Sequence, residues 1–396
     1  MQKIRRLSLL LAVIMCCFSV VPVSADSITS DKVLNIPENK ELNSLTARSV
    51  ILMEGSTGTI IFERNSREQV PLASITKVMS MMIVMDAIKD NIITMDDIVT
   101  TSPHAASMGG SQVYLKEGEE FSVREMLKAV AIHSANDCTV ALAEKVCGSE
   151  STFVDRMNEK AAKLGMNDTY FLDCTGLTDD GHYSTAYDIA IMAREVVTNY
   201  PTILEFSSIW HDTFRNGEFS LDNTNKLVNN YNGLDGLKTG FTTKAGYCLS
   251  ATAKRGNLRL ISVVLGTEAT NIRFQETKKL LDYGFANVDL YNANKKGEIV
   301  KRVNVQKGVE KSVNAVYQDD VNLVILKRDK SKIERNIVVL DDVTAPLKQG
   351  DVIGSVEYKI GDETIAKENI VAKDDVKKAS FVTLIFRAIL SWLGIK

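Results

Sequence analysis

Hydrophobic residues recur along the chain with two periods, which divide it into helices and strands. Apolar positions three and four residues apart predict helices over Ile75–Lys89, Val123–Lys145, Ser151–Leu164 and Ala186–Val197. Short apolar runs around turn residues predict two hairpins, Arg48–Met53 with Thr57–Phe62 and Tyr247–Ala253 with Leu258–Leu265. Strands at both ends of a helical region indicate one mixed α/β domain (α+β), over residues 26–292.

The pattern changes in the last quarter of the chain. From about Glu298 to Ala372, short β-branched runs alternate with Lys, Asp and Gly turns. These runs are Val300–Val305, Val321–Leu326, Asn336–Leu340 and Val352–Tyr358. They predict a second, small all-β domain over residues 293–372.

The N-terminus has the three parts of a secretory signal peptide, predicted to span residues 1–25. Three basic residues precede an apolar run from Leu7 to about Val20, and small residues follow at Val23-Ser24-Ala25. The alternative is a membrane-spanning anchor, but the apolar run is shorter than the roughly 20 residues that a spanning helix needs. We therefore expect an exported protein at the outer face of the cytoplasmic membrane or in the cell wall.

Residues 373–396 predict an amphipathic helix that lies on a membrane surface. Phe381–Ile395 is almost wholly apolar, and Thr383, Arg387 and Ser391 form one polar stripe four residues apart. Fifteen helical residues reach about 22 Å, too short to cross a bilayer. Lysines just upstream suit an anionic leaflet. The alternative is a terminal helix packed on the protein itself.

Composition narrows the functional classes. The 396 residues are 45% hydrophobic and 24% charged, which is typical of a folded protein of two or three domains. The net charge of −3 leaves no excess of positive charge for binding nucleic acid. Cys138, Cys147, Cys174 and Cys248 follow the signal segment, widely spaced and without the close pairs of zinc sites. We expect mostly buried free thiols, although export would permit one pair to oxidise.

The first candidate for chemistry is Ser74-Ile75-Thr76-Lys77, at the start of an apolar helix. Residues three apart on a helix share a face, so Lys77 can lie beside the Ser74 hydroxyl. A serine nucleophile needs a base, and a lysine kept neutral by burial can be that base. The motif alone is weak, because its four positions arise by chance about twice in a chain of this length.

Two further motifs follow in order. Ser134-Ala135-Asn136 lies at a break between two helical stretches and offers a hydroxyl and a carboxamide. Lys238-Thr239-Gly240 stands just before the second hairpin. A lysine and a threonine hydroxyl can bind a carboxylate, and the glycine permits close approach of a ligand to a strand edge.

Three weak motifs in this order and spacing are together strong, and here the chain resembles the penicillin-recognising serine enzymes. The flanking sequences are similar to those of the exported D-alanyl-D-alanine carboxypeptidases, the low-molecular-mass penicillin-binding proteins. These flanks are Ala73-Ser74-Ile75-Thr76-Lys77, Ser134-Ala135-Asn136-Asp137, Thr175-Gly176-Leu177, Gly181-His182-Tyr183-Ser184 and Asp235-Gly236-Leu237-Lys238-Thr239-Gly240. The resemblance covers the whole architecture, from signal peptide to C-terminal helix. It implies a β-lactamase/transpeptidase-like catalytic domain with an antiparallel sheet flanked by helices.

The resemblance implies an acyl-enzyme mechanism. Ser74 would attack the D-Ala-D-Ala carbonyl of a peptidoglycan pentapeptide, with Lys77 as base and the backbone N–H groups of Ser74 and Phe241 as the oxyanion hole. Ser134, helped by Lys238, would pass a proton to the departing D-alanine. Penicillin and other β-lactams would acylate Ser74, and no metal or organic cofactor would be required.

The remaining motif residues are implied to bind substrate. Asn136 would hold the backbone amide of the peptide, and Thr239 with Lys238 its terminal carboxylate. Gly240 and Phe241 would line the same strand edge.

Other activities share these motifs. A serine β-lactamase of class A has a Glu-x-x-Leu-Asn segment, and Glu218-Phe219-Ser220-Leu221-Asp222 approaches it but ends in Asp and lies too near Lys238. An inactive wall-binding or β-lactam-sensing protein would have no reason to keep the four polar groups of Ser74, Lys77, Ser134 and Lys238. No motif separates a carboxypeptidase from a transpeptidase or endopeptidase, and the sequence leaves the oligomeric state open.

Overall fold

The computed structural model describes residues 33–34, 40–178 and 180–393. The predicted signal peptide at residues 1–25 lies outside the described residues, and so do residues 394–396 at the end of the predicted C-terminal helix.

A five-stranded antiparallel sheet and two small strand pairs form the β-structure of the first domain. The strands are β1 (Ser49–Glu54), β2 (Ile60–Arg64), β3 (Ile98–Thr100), β4 (Glu120–Ser122), β5 (His211–Phe214), β6 (Phe219–Asp222), β7 (Leu234–Thr242), β8 (Gly246–Arg255) and β9 (Leu258–Thr267). The large sheet has the order β2-β1-β9-β8-β7, so β7 is an edge strand. Both predicted hairpins are confirmed, because β1 pairs with β2 and β8 with β9.

Helices cover both faces of this sheet. They are α1 (Lys40–Asn43), α2 (Lys77–Lys89), α3 (Pro103–Ala106), α4 (Val123–His133), α5 (Asn136–Cys147), α6 (Glu150–Lys163), α7 (Ala186–Asn199), α8 (Thr202–Ser207), α9 (Leu227–Asn230) and α10 (Thr270–Asn287). A 3₁₀ turn, Ala73–Thr76, precedes α2. The pattern predicted over Val123–Lys145 is divided into α4 and α5 at Ser134, whose left-handed backbone (φ 69°) ends α4.

The longest helix of this domain, α10, is absent from the predicted elements. Its buried face includes Arg273, Glu276 and Thr277 beside Phe274 and Leu280, so the apolar periodicity is weak. Glu276 accepts hydrogen bonds from the backbone N–H groups of residues 46 and 47, which explains why a carboxylate is buried there.

The core of the first domain has two parts, one on each face of the sheet. Alternate residues of β1 point to opposite faces: Ile51 and Met53 pack with α2 and α4–α7, whereas Val50 and Leu52 pack with α10. The predicted mixed domain with an antiparallel sheet flanked by helices is therefore confirmed.

The second domain consists of strands. They are β10 (Val288–Asn294), β11 (Ile299–Gln306), β12 (Ser312–Tyr317), β13 (Val321–Leu326), β14 (Ile333–Val339), β15 (Asp342–Thr344), β16 (Val352–Ile360) and β17 (Glu363–Ala372). β10 pairs with β13, and the others form a sheet of order β14-β16-β17-β12-β11-β15. The predicted all-β domain is confirmed, while β10 directly follows α10 and spans the predicted boundary between residues 292 and 293.

A final helix, α11 (Phe381–Trp392), contacts the β-domain through its polar side. The Arg387 guanidinium donates to the carbonyl oxygens of Gly308 and Val309, each at 2.7 Å. The apolar side chains of Phe381, Phe386 and Trp392 are 77%, 62% and 87% exposed. Within residues 33–34, 40–178 and 180–393, no helix combines the length and apolar character that crossing a membrane requires.

Cys138, Cys147, Cys174 and Cys248 carry free thiols, as expected. Cys138, Cys174 and Cys248 are buried, and Cys147 is partly buried.

Candidate active site

The turn that carries Ser74 has an unusual backbone. Ala73 adopts a left-handed conformation (φ 48°) immediately before Ser74, within the 3₁₀ turn that leads into α2. Such a conformation is unfavourable for a residue with a Cβ, so the surrounding structure must hold it. It presents the partly exposed Ser74 at the N-terminal end of the helix, with Lys77 one turn further on.

Lys77 is fully buried and lies beside the serine. Its Nζ donates to Ser74 Oγ at 3.0 Å and to the carbonyl oxygen of Thr175 at 2.6 Å. Burial lowers the pKa of Lys77 to about 7, against the opposing effect of the nearby Asp173 and Asp137 carboxylates. A substantial fraction of this lysine is therefore neutral near pH 7 and able to accept the serine proton.

Ser134 and Asn136 lie at the junction of α4 and α5, as the motif predicts. The Asn136 backbone N–H donates to the Ser111 carbonyl and its Nδ2 to the Gly109 carbonyl, each at 2.7 Å. Ser134 Oγ and Asn136 Oδ1 are buried and have no hydrogen-bond partner among the described residues. Since buried polar atoms are normally paired, both atoms are placed to receive a ligand.

The edge strand β7 carries Lys238, Thr239 and Gly240. Lys238 is 1% exposed and donates to the carbonyl of Thr239 at 3.2 Å, and the Thr239 hydroxyl donates to Thr224 Oγ1 at 2.7 Å. Burial, together with the charges of Lys77 and Arg273, lowers the pKa of Lys238 well below its ordinary value. A buried lysine beside another cation favours an anion, as a substrate carboxylate would be.

Gly240 lies against the turn that carries Ser74. A Cβ at this position would lie 2.7 Å from the Leu72 carbonyl oxygen and 3.3 Å from the Ser74 nitrogen. The glycine therefore permits the nucleophile turn to approach β7 closely. Phe241 follows it, 52% exposed and stacked on Tyr247 with ring centroids 4.3 Å apart.

The fold brings the three motifs to one place. Ser74 and Lys77 share a hydrogen bond, and Gly240 of β7 adjoins the Ser74 nitrogen. Burial lowers the pKa of His133, the residue before Ser134, and the nearby charge of Lys238 lowers it further. A nucleophile, a partly neutral base, two buried polar atoms without a partner among the described residues and a strand edge with a buried lysine are thus neighbours.

Two contributors to the site were missing from the sequence-based prediction. The Asp173 carboxylate accepts hydrogen bonds from the backbone N–H groups of Thr175, Gly176 and Thr178, and so shapes the loop whose carbonyl binds Lys77. Arg273 is 7% exposed and donates to the Gly240 carbonyl at 3.1 Å, with a pKa lowered to about 10 by burial. Only the Thr175-Gly176 motif hinted at the loop, and no local pattern marks Arg273.

This fold and site define a serine hydrolase that works by acyl transfer. Comparisons with known proteins give the particular family. A family profile described as D-alanyl-D-alanine carboxypeptidase matches residues 36–269, and one described as the C-terminal domain of penicillin-binding protein 5 matches residues 288–378.

Relatives are similar over nearly the whole chain. The D-alanyl-D-alanine carboxypeptidase DacF of Bacillus subtilis is 41% identical over 88% of this chain and 91% of its own. The structure of penicillin-binding protein 5 from Haemophilus influenzae has a TM-score of 0.77 and 32% identity, over 87% of this chain and 100% of that one. Penicillin-binding protein D2 of Listeria monocytogenes, in its ampicillin-bound form, has a TM-score of 0.57 and 33% identity, over 61% of this chain and 98% of that one.

The chain belongs to the D-alanyl-D-alanine carboxypeptidase family, penicillin-binding enzymes of peptidoglycan metabolism. The predicted family, fold and enzyme class are thereby confirmed.

Proposed function

We propose that this protein removes the terminal D-alanine from peptidoglycan pentapeptide stems through an acyl-enzyme on Ser74. The observation that carries this proposal is the pair formed by Ser74 Oγ and Lys77 Nζ, 3.0 Å apart, with the Lys77 pKa near 7. Neutral Lys77 takes the hydroxyl proton as Ser74 Oγ bonds to the carbonyl carbon. The N–H groups of Ser74 and Phe241 stabilise the oxyanion.

The second half of acylation releases D-alanine. Ser134, helped by Lys238, relays the proton held by Lys77 to the amide nitrogen as the C–N bond breaks. Water then attacks the ester carbon, the Ser74 Oγ–C bond breaks, and the shortened peptide leaves with a new carboxylate while a proton of the water passes to Ser74 Oγ. The buried, unpartnered Ser134 Oγ supports this role, because it is free to exchange hydrogen bonds during the reaction.

Substrate binding uses the two walls of the site. Asn136, whose Nδ2 is held by the Gly109 carbonyl, binds the backbone amide of the peptide through its unpartnered Oδ1. Thr239 and Lys238 bind the terminal carboxylate, and the depressed pKa of Lys238 supports this assignment because a bound anion would compensate the buried cation. Gly240 and Phe241 complete this wall.

We propose that β-lactams acylate the same serine. The ampicillin-bound form of the Listeria monocytogenes relative supports this part of the proposal. The test is mass spectrometry and peptide mapping after a short incubation with benzylpenicillin, followed by a time course of adduct loss. We expect a stable adduct on Ser74, its absence in Ser74→Ala, and an unchanged adduct in the control Ser151→Ala, on the exposed side of α6.

The other outcomes identify the alternatives. Rapid turnover of benzylpenicillin would favour a β-lactamase, and the absence of any adduct in the wild-type protein would favour an inactive wall-binding protein. D-alanine release from a pentapeptide, compared with release from a cross-linked dimer, separates the carboxypeptidase from an endopeptidase.

We also propose the domain limits and the location. Residues 1–25 are a signal peptide, 26–292 the catalytic domain, 293–372 the β-domain and 373–396 a helix that anchors the exported protein peripherally to the membrane. The outward apolar side chains of α11 support the anchor, since Arg387 holds the polar side of the helix against the β-domain.

The anchor is tested by flotation with vesicles that contain phosphatidylglycerol. We expect the protein to float with the vesicles and a chain lacking residues 380–396 to remain behind while still forming the benzylpenicillin adduct. Equal flotation with and without the tail would contradict the anchor.

A further inference from the structure

A chain of hydrogen bonds runs from His182 to the backbone just before the nucleophile. The Thr76 hydroxyl donates to the Ala73 carbonyl oxygen at 2.8 Å and lies 2.8 Å from His182 Nε2. His182 Nδ1 receives the backbone N–H of Leu172 at 3.2 Å. Both Thr76 and His182 are buried, at most 1% exposed.

The directions of these bonds follow from their chemistry. Because His182 Nδ1 accepts the Leu172 N–H, the proton of a neutral imidazole is on Nε2, which donates to Thr76 Oγ1. The Thr76 hydroxyl, having accepted that proton, gives its own to the carbonyl of Ala73. Each of these three hydrogen bonds thus has a donor and an acceptor that fit one another.

The Ala73 carbonyl, the last acceptor in this series of hydrogen bonds, fixes the orientation of the Ser74 N–H. The Ala73 carbonyl and the Ser74 N–H belong to the same planar peptide group and point in opposite directions. A hydrogen bond that holds the carbonyl therefore also aims the Ser74 N–H, which the proposed function assigns to the oxyanion hole. Without it, the left-handed Ala73 (φ 48°) lacks one of the contacts that keep this backbone in place.

The loop that contains His182 encloses the same carbonyl. A Cβ on Gly176 would lie 1.9 Å from the Ala73 oxygen and 2.7 Å from Thr76 Oγ1, so the loop backbone packs directly on the turn. His182 is fixed against this loop by edge-to-face contact with Phe171, ring centroids 5.6 Å apart. The Ala73 carbonyl is thus confined by the Gly176 backbone and hydrogen-bonded by the Thr76 hydroxyl.

We propose that His182 is a positioning residue that acts through Thr76 to aim the Ser74 N–H at the developing oxyanion. The inference rests on the proposed acyl-enzyme mechanism and adds to it a specific role for two side chains that touch no substrate. An oxyanion donor acts on the transition state, so its misalignment lowers the rate of acylation while leaving the preceding non-covalent binding nearly unchanged.

The test measures acylation by benzylpenicillin under pre-steady-state conditions, which separates the acylation rate constant from the dissociation constant of the non-covalent complex. Thr76→Val keeps the shape and removes the hydroxyl, and we expect about a 10- to 100-fold fall in the rate constant, less than the roughly 100- to 1000-fold cost of losing an oxyanion donor, because the Ser74 N–H is misaligned and not removed. The dissociation constant should change less than about threefold, a change of well under 1 kcal/mol.

Conservative variants distinguish positioning from packing. Thr76→Ser keeps the hydroxyl and should retain the wild-type rate within about threefold. His182→Gln keeps an N–H that can reach Thr76 and should be faster than His182→Leu. The double variant Thr76→Val/His182→Leu should be no slower than the slower single variant, because the two residues act in series.

A matched control accounts for lost stability. Tyr200→Phe removes a buried hydroxyl that donates to Asp86 Oδ1 at 2.6 Å, near the other end of α2. It should lower the melting temperature without slowing acylation. Wild-type acylation of Ser74 in Thr76→Val, or rates that follow melting temperature across all variants including Tyr200→Phe, would overturn the inference.

The outcomes also separate this inference from the proposed function. Failure of the wild-type protein to form a Ser74 adduct would contradict the acyl-enzyme mechanism. A normal wild-type adduct with an unaffected Thr76→Val rate would contradict only the role of Thr76 and His182. If Thr76→Val does not fold, the comparison of His182→Gln with His182→Leu decides the same question.

Discussion

Replacement of Lys77 by methionine should make the protein inactive and, at neutral and acidic pH, more stable. Lys77 is fully buried, and its Nζ has two hydrogen-bond acceptors, Ser74 Oγ and the Thr175 carbonyl. Methionine has a similar length and no charge, so Lys77→Met removes the ionisable group while filling most of its space.

The magnitude follows from the pKa of Lys77, which burial lowers from 10.5 to about 7. A base with a lowered folded-state pKa destabilises the protein fully below that pKa, and the effect is relieved as pH rises toward the unfolded value. Linkage then gives a destabilisation of about 5 kcal/mol at pH 6 and about 2 kcal/mol at pH 9. Loss of two hydrogen bonds offsets about 2 kcal/mol at every pH.

The assay is urea unfolding of the wild-type protein and Lys77→Met at several pH values from 6 to 9. We expect the variant to be more stable by about 3 kcal/mol at pH 6 and about equal to the wild type at pH 9. Lys145→Met, at an exposed position of α5, is the control, and its effect should not vary with pH over this range.

The pH dependence is the decisive result, because the hydrogen-bond contribution does not change with pH. A difference in the free energy of unfolding between Lys77→Met and wild type that stays constant from pH 6 to pH 9 would refute the reasoning. It would mean that Lys77 remains charged in the folded protein across this range and is not the neutral base.

Three further predictions concern the site and the C-terminal helix. The rate of Ser74 acylation by benzylpenicillin should rise as pH passes through about 7, because the neutral form of the buried lysine is the reactive one, and a flat stopped-flow profile from pH 5.5 to 8.5 would count against it. Gly240→Ala should slow acylation more than about tenfold, since its Cβ would lie 2.7 Å from the Leu72 carbonyl, whereas Gly109→Ala, with open space around its Cβ, should be far milder on the same measurement. Arg387→Gln should make α11 more susceptible to limited proteolysis while preserving acylation, because the variant loses the guanidinium hydrogen bonds to the β-domain. An unchanged digestion rate would show that these bonds do not hold α11 in place.

Much of the fold could be predicted because its elements have local signals. The hairpin of Tyr247–Ala253 and Leu258–Leu265 has two apolar, almost continuously buried runs on either side of a turn, and α6 and α7 have apolar faces of helical period. The helix α10 has no such signal, since Arg273 occupies its buried face and is held there by the carbonyl of Gly240 on a different element. Burial of a charged residue by a distant partner leaves no periodic pattern in its own segment.

The sequence by itself determined which chemical groups are present and in what order. A nucleophile and its base must be of particular residue types at a helical spacing, so Ser74 and Lys77 could be selected together, and the later motifs supplied Ser134 and Lys238. These choices depend on covalent chemistry and short-range geometry, both of which are written in consecutive residues.

Only the tertiary structure decided how those groups behave. The Lys77 pKa of about 7 arises from burial, the left-handed Ala73 is held by contacts with a loop about a hundred residues away, and Gly240 is required because the nucleophile turn passes against β7. Desolvation and close packing are properties of what surrounds an atom in space. Segments distant in the chain supply those surroundings, so a motif names the reactive residues while the fold sets their reactivity.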